Sequence, residues 1–224
     1  MSRRDAALAA GTALAALLAI ASAPWALGLP WLNFAFKPLA TLGVIAYAWP
    51  RGADVPVLRR WLLAGLGLSL CGDVALLWPQ QGFLPGLVSF LLAHLAYLAG
   101  FAHVQRIGAR WLPFVVYTVV AGAILWQLWP GVPAGLRGPV AVYVVALASM
   151  AAQAAVLWRA GAARGAVLAL GGALFVASDA LLATNKFGGP LPLASLWILI
   201  TYWSAQWCIA SFLAPAKKPS SSRP

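Results

Sequence analysis

The sequence is short of charge, and above all of negative charge. Only 8% of its 224 residues are charged and 63% are hydrophobic, whereas about 25% of a typical soluble domain is charged. Glutamate is absent, and the acidic residues are four aspartates: Asp5, Asp54, Asp73 and Asp179. So little charge cannot solvate the surface of an ordinary soluble domain, and the composition excludes that class.

Cysteine and histidine are equally scarce, with two of each. Cys71 and Cys208 lie inside apolar segments without a C-x-x-C motif, so the sequence indicates neither a zinc ribbon nor a disulfide framework. His94 and His103 lie about 13 Å apart along one predicted helix, too far to bind the same metal ion. We predict no cofactor and no metal, although two aspartates and one histidine would suffice for a zinc site: Asp73, Asp179 and His94.

The net charge of +11 comes from 15 Lys and Arg residues. A nucleic-acid-binding protein gathers such residues into a patch or stripe. Here they occur in ones, twos and threes between long apolar stretches. We therefore predict no nucleic-acid partner, and the spacing is instead typical of the loops of a membrane protein.

Apolar runs recur along nearly the whole chain, and each is long enough to cross a hydrocarbon core of about 30 Å. Tryptophan stands at many of their ends, as in the aromatic belts of membrane proteins. The segments between them are short turns rich in Pro, Gly and Arg. The sequence predicts a single all-α membrane domain over residues 1–224, a bundle of eight transmembrane helices at about 6–23, 32–49, 61–78, 85–103, 111–129, 139–158, 166–184 and 192–213.

The cations are distributed unequally between the two sides of this bundle. The termini and alternate loops hold most of them, whereas the four intervening loops hold only Arg137 and Lys186. Positive charge marks the cytoplasmic side. We therefore expect a protein of the bacterial inner (plasma) membrane with both termini in the cytoplasm, where the C-terminal cations are Lys217, Lys218 and Arg223.

The first apolar run has a second interpretation. Arg3 and Arg4, an alanine-rich stretch and the segment Ala21-Ser22-Ala23 resemble a secretory signal peptide with an A-x-A cleavage site. Pro24 directly follows that site and should obstruct cleavage, so we favour a retained first span. Cleavage would leave seven spans in the same orientation.

Three charged residues lie inside predicted spans, where an ionised Asp at the helix centre costs about 2.5–3.5 kcal/mol. Asp73 and Asp179 are each five residues from the outer end of their spans, and Lys37 is five residues from the outer start of the second span. At 1.5 Å per residue, all three lie about 7–8 Å below the outer interface. A common depth on three helices favours one shared site over three separate packing contacts.

A weak internal repeat surrounds the two aspartates. The segment Ser69–Leu77 around Asp73 reads much like the segment Phe175–Leu182 around Asp179, and a span with polar residues follows each. This pattern predicts two four-helix halves in the same orientation, a 4+4 parallel internal repeat.

The second span carries a polar stripe. Asn33, Lys37 and Thr41 recur at i, i+4 on one helical face. Pro38 removes an amide donor beside the lysine and should free the carbonyl of Phe34, opening a local kink. This combination is typical of a membrane helix that lines a cavity.

The fourth and eighth spans carry further polar groups. His94 and Tyr97 share a face of the fourth span, with Ser89 nearer the surface, and Tyr202 and Gln206 share a face of the eighth. No G-x-S-x-G motif is present, and Ser89 and His94 diverge around their helix, so we do not favour acyl-enzyme chemistry. These side chains could orient water or the carboxylates.

Many of these residues belong to short motifs that follow one another in a fixed order. They are Lys37-Pro38-Leu39, Ser69-x-x-Gly72-Asp73, Gly86-x-x-Ser89-Phe90-x-x-x-His94-x-x-Tyr97, Phe175-x-x-Ser178-Asp179, Asn185-Lys186-Phe187 and Thr201-Tyr202-x-x-x-Gln206. In this order and spacing they resemble the YhhN family of polytopic membrane proteins, which includes the lysoplasmalogenases. The similarity covers the second to fourth and the seventh and eighth spans, a little over half of the chain.

The resemblance implies an eight-helix enzyme that hydrolyses the vinyl ether bond of a lysoplasmalogen to a fatty aldehyde and a glycerophospho-alcohol. Such hydrolysis begins with protonation of the outer alkene carbon and forms an oxocarbenium ion that water captures. The reaction therefore needs one proton donor and one anion. Two neighbouring carboxyls in a low dielectric can divide these roles, although the sequence leaves open which aspartate takes which.

The candidate site follows from these expectations. The predicted catalytic residues are Asp73, Asp179, His94 and Tyr202. The predicted substrate-binding residues are Lys37, Ser89, Tyr97, Asn185 and Gln206. Lys37 would either bind the phosphate of a lysophospholipid or hold the anionic aspartate.

A transporter is the alternative from another functional class. Parallel repeats, a proline-broken helix and two intramembrane carboxylates also occur in proton-coupled carriers. A purely structural membrane protein is a third reading, but it leaves the common depth of the three charges without a reason. The sequence is silent on oligomeric state.

Overall fold

A computed structural model describes residues 2–215, and within this range all regular elements are helical. The predicted all-α fold of eight helices is confirmed. The C-terminal cations Lys217, Lys218 and Arg223 lie outside the described residues. The helices are α1 (Arg3–Ala21), α2 (Pro30–Ala48), α3 (Pro56–Ala75), α4 (Phe83–Val104), α5 (Trp111–Leu128), α6 (Arg137–Arg159), α7 (Gly165–Ala183) and α8 (Ala194–Ser211).

Local sequence explains where several helices begin. The Ser2 hydroxyl accepts a hydrogen bond from the Asp5 amide, and the Asp5 carboxylate accepts one from the Ser2 amide, which forms a capping box for α1. Pro30 and Pro56 occupy the first positions of α2 and α3, where a missing amide hydrogen costs nothing. α2 then continues through Pro38 without a break in its assignment.

The C-terminal ends of α3 and α7, the helices that carry Asp73 and Asp179, differ from the predicted span limits. α3 ends at Ala75, where the chain turns back sharply. Gly82 then packs against the Ala75 carbonyl group, so closely that a Cβ atom on residue 82 would lie 1.8 Å from the carbonyl oxygen. Asp73 is therefore in the last turn of α3. α7 ends at Ala183 but continues into a π-helical turn, Thr184–Gly188. The equal spacing from helix ends that the sequence predicts does not hold.

The helices pack in the same order in both halves of the chain. In the first half α1 contacts α2, α2 contacts α3 and α3 contacts α4, and α5 to α8 repeat this order. Between the halves, α2 contacts α8 while the corresponding helix α6 contacts α4. This packing is the one expected of the predicted 4+4 arrangement.

Close approach of α3 and α4 directs two aromatic rings into the centre of the bundle. A Cβ atom on Gly65 would lie 2.3 Å from the Tyr97 ring, and one on Gly72 would lie 2.5 Å from the Phe90 ring. Small residues permit such contacts between membrane helices. The Phe90 ring in turn packs edge-on against Tyr202 of α8, at 5.8 Å between ring centroids.

The surface of the bundle is strongly apolar. Large side chains such as Trp111, Trp126 and Val145 are exposed, in an amount that no water-facing surface carries without a partner. By length and composition, five of the described helices could cross a membrane: α1, α4, α5, α6 and α7. The other three carry many of the polar residues described next, and a membrane crossing by all eight helices stays a prediction.

Candidate functional site

A cavity of about 660 Å³, lined by both polar and apolar side chains, opens at one end of the bundle, where α1, α3 and α7 end and α2 and α8 begin. We call it the central cavity. Lys37, Asp73 and Asp179, the three charges that the sequence assigns to one site, all line it. Its other polar lining residues include Asn33, Ser178, Asn185, Lys186, Ser195 and Tyr202.

Asp73 is almost fully buried, and three groups contact its carboxylate. The hydroxyls of Thr41 and Tyr202 donate hydrogen bonds to Oδ2 at 2.6 and 2.7 Å. Lys37 Nζ lies 3.8 Å from Oδ1, and the two side chains of this ion pair are only 9% and 2% exposed. A nearby cation and two hydroxyl donors stabilise the ionised form of a carboxylate that water barely reaches.

A chain of hydrogen bonds extends from this ion pair into the protein. Gln206 Nε2 donates to the Tyr202 hydroxyl at 3.2 Å, and the Tyr97 hydroxyl donates to Gln206 Oε1 at 2.7 Å. On the other side, Trp203 Nε1 donates to Thr41 Oγ1 at 3.1 Å. Tyr97 and Gln206 thus support the site from behind the cavity and orient the Tyr202 hydroxyl.

Asp179 has different neighbours. The Tyr143 hydroxyl of α6 donates a hydrogen bond to its Oδ2, and His94 Nε2 lies 3.5 Å from the same oxygen. Within residues 2–215, Asp179 has no Lys or Arg at ion-pair distance. Its side chain is 13% exposed, against 2% for Asp73. Asp179 is therefore the more accessible carboxyl and the one without a fixed cation.

His94 lies behind the cavity wall rather than on it, which corrects the expectation that it faces the cavity. Its Nε2 is 3.0 Å from the Tyr143 hydroxyl. Since that hydroxyl donates to Asp179, His94 is the donor in this bond. The Phe175 ring packs edge-on against both His94 and Tyr202, at 4.7 and 5.6 Å between ring centroids. Phe175 therefore lies between a neighbour of Asp179 and a neighbour of Asp73.

The residues considered for a metal site do not come together. Within the described range, no group of three or more His, Cys, Asp or Glu side chains could hold a metal ion. His94 is close to Asp179 alone, while Asp73 is engaged by Lys37. Cys71 is a free thiol on another face of α3.

The π-helical turn after α7 carries two further polar residues to the cavity rim. Asn185 Oδ1 accepts a hydrogen bond from the Leu191 amide at 2.9 Å and holds the following loop. Lys186 is exposed, with Nζ 4.8 Å from the Phe83 ring centroid and 3.5 Å from the Pro79 carbonyl oxygen. Both residues line the central cavity. Asn185 is one of the predicted substrate-binding residues, whereas Lys186 is not.

Ser89, like Tyr97 and Gln206, is a predicted substrate-binding residue that does not line the central cavity, which corrects the expectation for all three. Ser89 also takes no part in the hydrogen bonds around either aspartate. Its hydroxyl donates to the Leu68 carbonyl at 2.7 Å, a contact between α4 and α3, and it does not line the central cavity. The five-residue offset from His94 turns the two side chains to different helical faces. We do not include Ser89 in the proposed site.

Sequence reasoning missed Tyr143, because α6 carries no motif. A signal was nevertheless present in the internal repeat. The separation of 106 residues between Asp73 and Asp179 also separates Lys37 from Tyr143. Tyr143 thus occupies the position in the second half that Lys37 occupies in the first.

Eight largely apolar helices around a cavity with two carboxyls define a polytopic membrane protein with a candidate active site. The chain belongs to the YhhN family, whose family model matches residues 32–213. The resemblance seen in the sequence motifs is therefore confirmed, and the match extends over α5 and α6, which the motifs did not cover. No solved structure matches the chain.

Three relatives carry names that specify an activity. The chain is 37% identical to "Lysoplasmalogenase TMEM86B" of Sus scrofa, over 58% of this chain and 53% of that protein. It is 33% identical to "Lysoplasmalogenase" of Mycobacterium tuberculosis, over 65% and 56%. It is 34% identical to "Lysoplasmalogenase TMEM86B" of Homo sapiens, over 81% and 75%. The chain thus spans about half the length of the first two relatives.

Proposed function

We propose that this protein is a membrane-embedded hydrolase that cleaves the vinyl ether bond of lysoplasmalogens. The observation that carries the proposal is the pair of unlike carboxyls on one cavity: Asp73 faces Lys37 at 3.8 Å, whereas Asp179 has only neutral or titratable partners. The names of the relatives support the substrate class. An acid and an anion that face the same cavity are what vinyl ether hydrolysis requires.

We assign the proton donor to Asp179 and the anion to Asp73. Lys37, Thr41 and Tyr202 together stabilise a charged Asp73, and a neutral Asp73 would leave the buried Lys37 without its counterion. Asp179 has no lysine or arginine within ion-pair distance among residues 2–215, and its side chain is more exposed to the cavity than that of Asp73. Two carboxyls that share a low-dielectric site avoid ionising together, so the uncompensated one carries the proton.

The reaction then proceeds in three balanced steps. Asp179 transfers its proton to the outer alkene carbon, and the electron pair of the double bond forms the new C–H bond and leaves an oxocarbenium ion. Asp73 stabilises this cation while a water molecule adds to the carbon next to the ether oxygen. Asp179 takes one proton of the added water, which leaves a neutral hemiacetal. The hydroxyl proton of the hemiacetal then passes to its ether oxygen as the C–O bond breaks, which releases the aldehyde and the glycerophospho-alcohol.

The remaining polar residues act as positioning groups. Tyr143, backed by His94, holds one oxygen of Asp179 and leaves the other for proton transfer. Tyr202, backed by Gln206, holds Oδ2 of Asp73, while Lys37 faces Oδ1. Such fixed donors keep the reacting groups aligned without reorganisation during the step.

The phosphate of the substrate binds at the cavity rim in this proposal. Lys37 already neutralises Asp73, so it is not free to bind phosphate as well. Lys186 is exposed beside the cavity and is a point charge suited to an oxyanion, and Asn185 stands next to it. The headgroup thus stays near water while the ether bond lies deeper, at the aspartates.

The proposal includes the topology expected from the cation distribution. All eight helices span the bacterial inner membrane, both termini are cytoplasmic, and the central cavity opens toward the outer leaflet. Reporter fusions at the C-terminus and in the loop between α3 and α4 should report opposite sides. The same side for both would refute the orientation.

In the decisive experiment, purified protein is incubated in parallel with an alkenyl and an acyl lysophospholipid, and the products are detected by mass spectrometry. We expect a fatty aldehyde from the alkenyl substrate and no turnover of the acyl one. Activity should survive EDTA, because protonation by a carboxylic acid needs no Lewis acid. Release of fatty acid alone would overturn the proposal. Absence of turnover in detergent, with proton-driven uptake into vesicles, would favour the transporter.

A further inference from the structure

The segment between α1 and α2 forms one wall of the central cavity. We call residues 22–29 the α1–α2 loop. Five of its residues line the cavity: Ser22, Ala23, Pro24, Trp25 and Gly28. The family model begins to match the chain only at residue 32. The central cavity is therefore completed by a segment that the family match does not cover.

One hydrogen bond fastens the α1–α2 loop to α8. Trp25 Nε1 donates to Ser195 Oγ at 2.9 Å, and Trp25 is 45% exposed. Within residues 2–215 the other hydrogen bonds of the loop are local, such as the bond from the Gly28 amide to the Ala23 carbonyl. α1 and α8 otherwise make few contacts. An accessible hydrogen bond of this kind breaks and re-forms readily, so the loop can separate from α8.

The corresponding connection in the second half of the chain, residues 129–136 between α5 and α6, is held by packing instead. Val132 in this connection is buried. The backbone of Gly131 lies so close to the π-helical turn that a Cβ atom there would be 2.0 Å from the Phe187 carbonyl oxygen. Residues 24–29 of the α1–α2 loop are all exposed. Of the two connections, the α1–α2 loop is therefore the one that can move without disturbing buried side chains.

Exposed apolar residues lie on both sides of the Trp25–Ser195 hydrogen bond. Leu27 and Leu29 belong to the loop, and Leu193 and Trp197 lie at the start of α8. In a membrane-embedded bundle such side chains contact lipid, and tryptophan prefers the interface. The boundary between the loop and α8 therefore faces lipid. A molecule that crosses it must combine a hydrocarbon chain with a headgroup that stays at the interface.

We propose that the α1–α2 loop is a gate through which a single-chain lysophospholipid passes between the membrane and the central cavity, and that the Trp25–Ser195 hydrogen bond holds this gate closed. The inference rests on the proposed function and adds the route of its substrate. Closure keeps the lipid beside the two aspartates and limits the entry of bulk water. Opening lets the lipid enter and the products leave.

Exchange rates of a ligand that cannot react test the gate independently of catalysis. The probe is a saturated 1-O-hexadecyl lysophosphocholine, which lacks the alkene that is protonated, with the protein in nanodiscs. Trp25→Phe keeps an aromatic ring but removes the donor, and Ser195→Ala removes the acceptor. In either variant we expect association and dissociation rates to rise about fivefold with little change in Kd, because the bond holds the gate and not the ligand. The double variant should match either single one, since both remove the same bond.

Trp31→Phe and Ser204→Ala are the matched controls, since both residues are exposed on α2 and α8 and neither lines the central cavity. They should exchange the ether as the unmodified protein does. Unchanged rates in Trp25→Phe and Ser195→Ala, additive effects in the double variant, or a loss of affinity without faster exchange would each overturn the proposal. The absence of binding by the unmodified protein would also overturn it.

A change in the loop backbone keeps the test decisive if Trp25→Phe does not fold. Gly28 has a φ of +63° and no atom within 4 Å of an added Cβ, so Gly28→Ala strains the closed loop without a clash and should also speed exchange. Gly108→Ala is its control, because Gly108 has a φ of +73° and equally open space in the loop between α4 and α5. Equal exchange rates in the two alanine variants would contradict the gate.

The outcomes separate the gate from the proposed activity. Faster exchange in the Trp25, Ser195 and Gly28 variants, without hydrolysis of any alkenyl substrate, would refute the activity and leave the gate standing. Hydrolysis of alkenyl lysophospholipids, with exchange unchanged in all three variants, would refute the gate alone.

Discussion

The surroundings of Asp73 and of Asp179 are built from corresponding helices but differ in charge. Lys37 of α2 pairs with Asp73 on α3, and Tyr143 of α6 donates a hydrogen bond to Asp179 on α7. Each residue of the second pair lies 106 residues after its counterpart in the first. Only the first carboxyl therefore has a cation. Equivalent positions in the two halves supply an ammonium in one case and a phenol in the other.

The correspondence extends across the boundary between the halves. α8 contributes Tyr202 to Asp73, and the corresponding helix α4 contributes His94 to Asp179. Each aspartate thus lies between two neighbouring helices, one from each half of the chain. The difference teaches that a repeated frame can give two identical side chains different electrostatic surroundings, because the residues at corresponding positions differ.

The largest expected effect comes from removing the proposed acid. Asp179→Asn keeps the volume and polarity of the side chain but has no proton to transfer, so kcat should fall about 10²- to 10⁴-fold. The fold should persist, as judged by size-exclusion chromatography and helical content. Asp54→Asn, in an exposed loop, is the matched control. Full activity of Asp179→Asn would remove this carboxyl from the chemistry.

Breaking the ion pair between Lys37 and Asp73 should lower the unfolding free energy, an effect with no counterpart at Asp179. Lys37→Met leaves Asp73 buried without its cation, and removal of one partner of a buried pair costs about 3–5 kcal/mol of unfolding free energy. Denaturation in detergent measures this loss. Combining it with Asp73→Asn should recover much of the stability, although not the activity. A double variant as unstable as Lys37→Met alone would contradict the pairing.

The hydroxyl donors offer a smaller and more specific comparison. Tyr143→Phe removes the hydrogen bond to Asp179, and Thr41→Val removes one of two hydroxyl bonds to Asp73. A bond to a buried polar group is worth about 1–3 kcal/mol, so Tyr143→Phe should lower kcat about tenfold with little change in KM.

Thr41→Val should lower the unfolding free energy more than it lowers kcat, because Tyr202 and Lys37 still hold Asp73. Kinetics and denaturation of both variants measure the two effects. If the two variants behave alike in both measurements, the proposed division of roles between the aspartates is wrong.

The smallest expected effect lies at the rim. Lys186 is exposed, and an exposed charge pair contributes about 1 kcal/mol or less, so Lys186→Gln should raise KM for a lysophospholipid by about fivefold at most. kcat should not change. Added salt should reduce the difference between the variant and the unmodified protein, since salt screens surface charges. A fall in kcat without a change in KM would place Lys186 in the reaction instead.

Much of the site was predictable because it depends on polar residues inside apolar helices. Lys37, Asp73 and Asp179 are conspicuous where charge is costly, and all three line the central cavity. Tyr143 was not predictable from its own helix, since a single tyrosine in a membrane span is unremarkable. Ser89 belonged to a motif yet is engaged in a contact between helices.

The sequence by itself determined the number and class of the helices and the family, because run length, turn residues and motif order are local properties of the chain. The tertiary structure alone decided which carboxyl has a cation and which of the polar residues line the central cavity. Lys37 and Asp73 are on different helices, as are Tyr143 and Asp179. Whether such side chains meet depends on how each helix is rotated and packed, which periodicity within one helix does not specify.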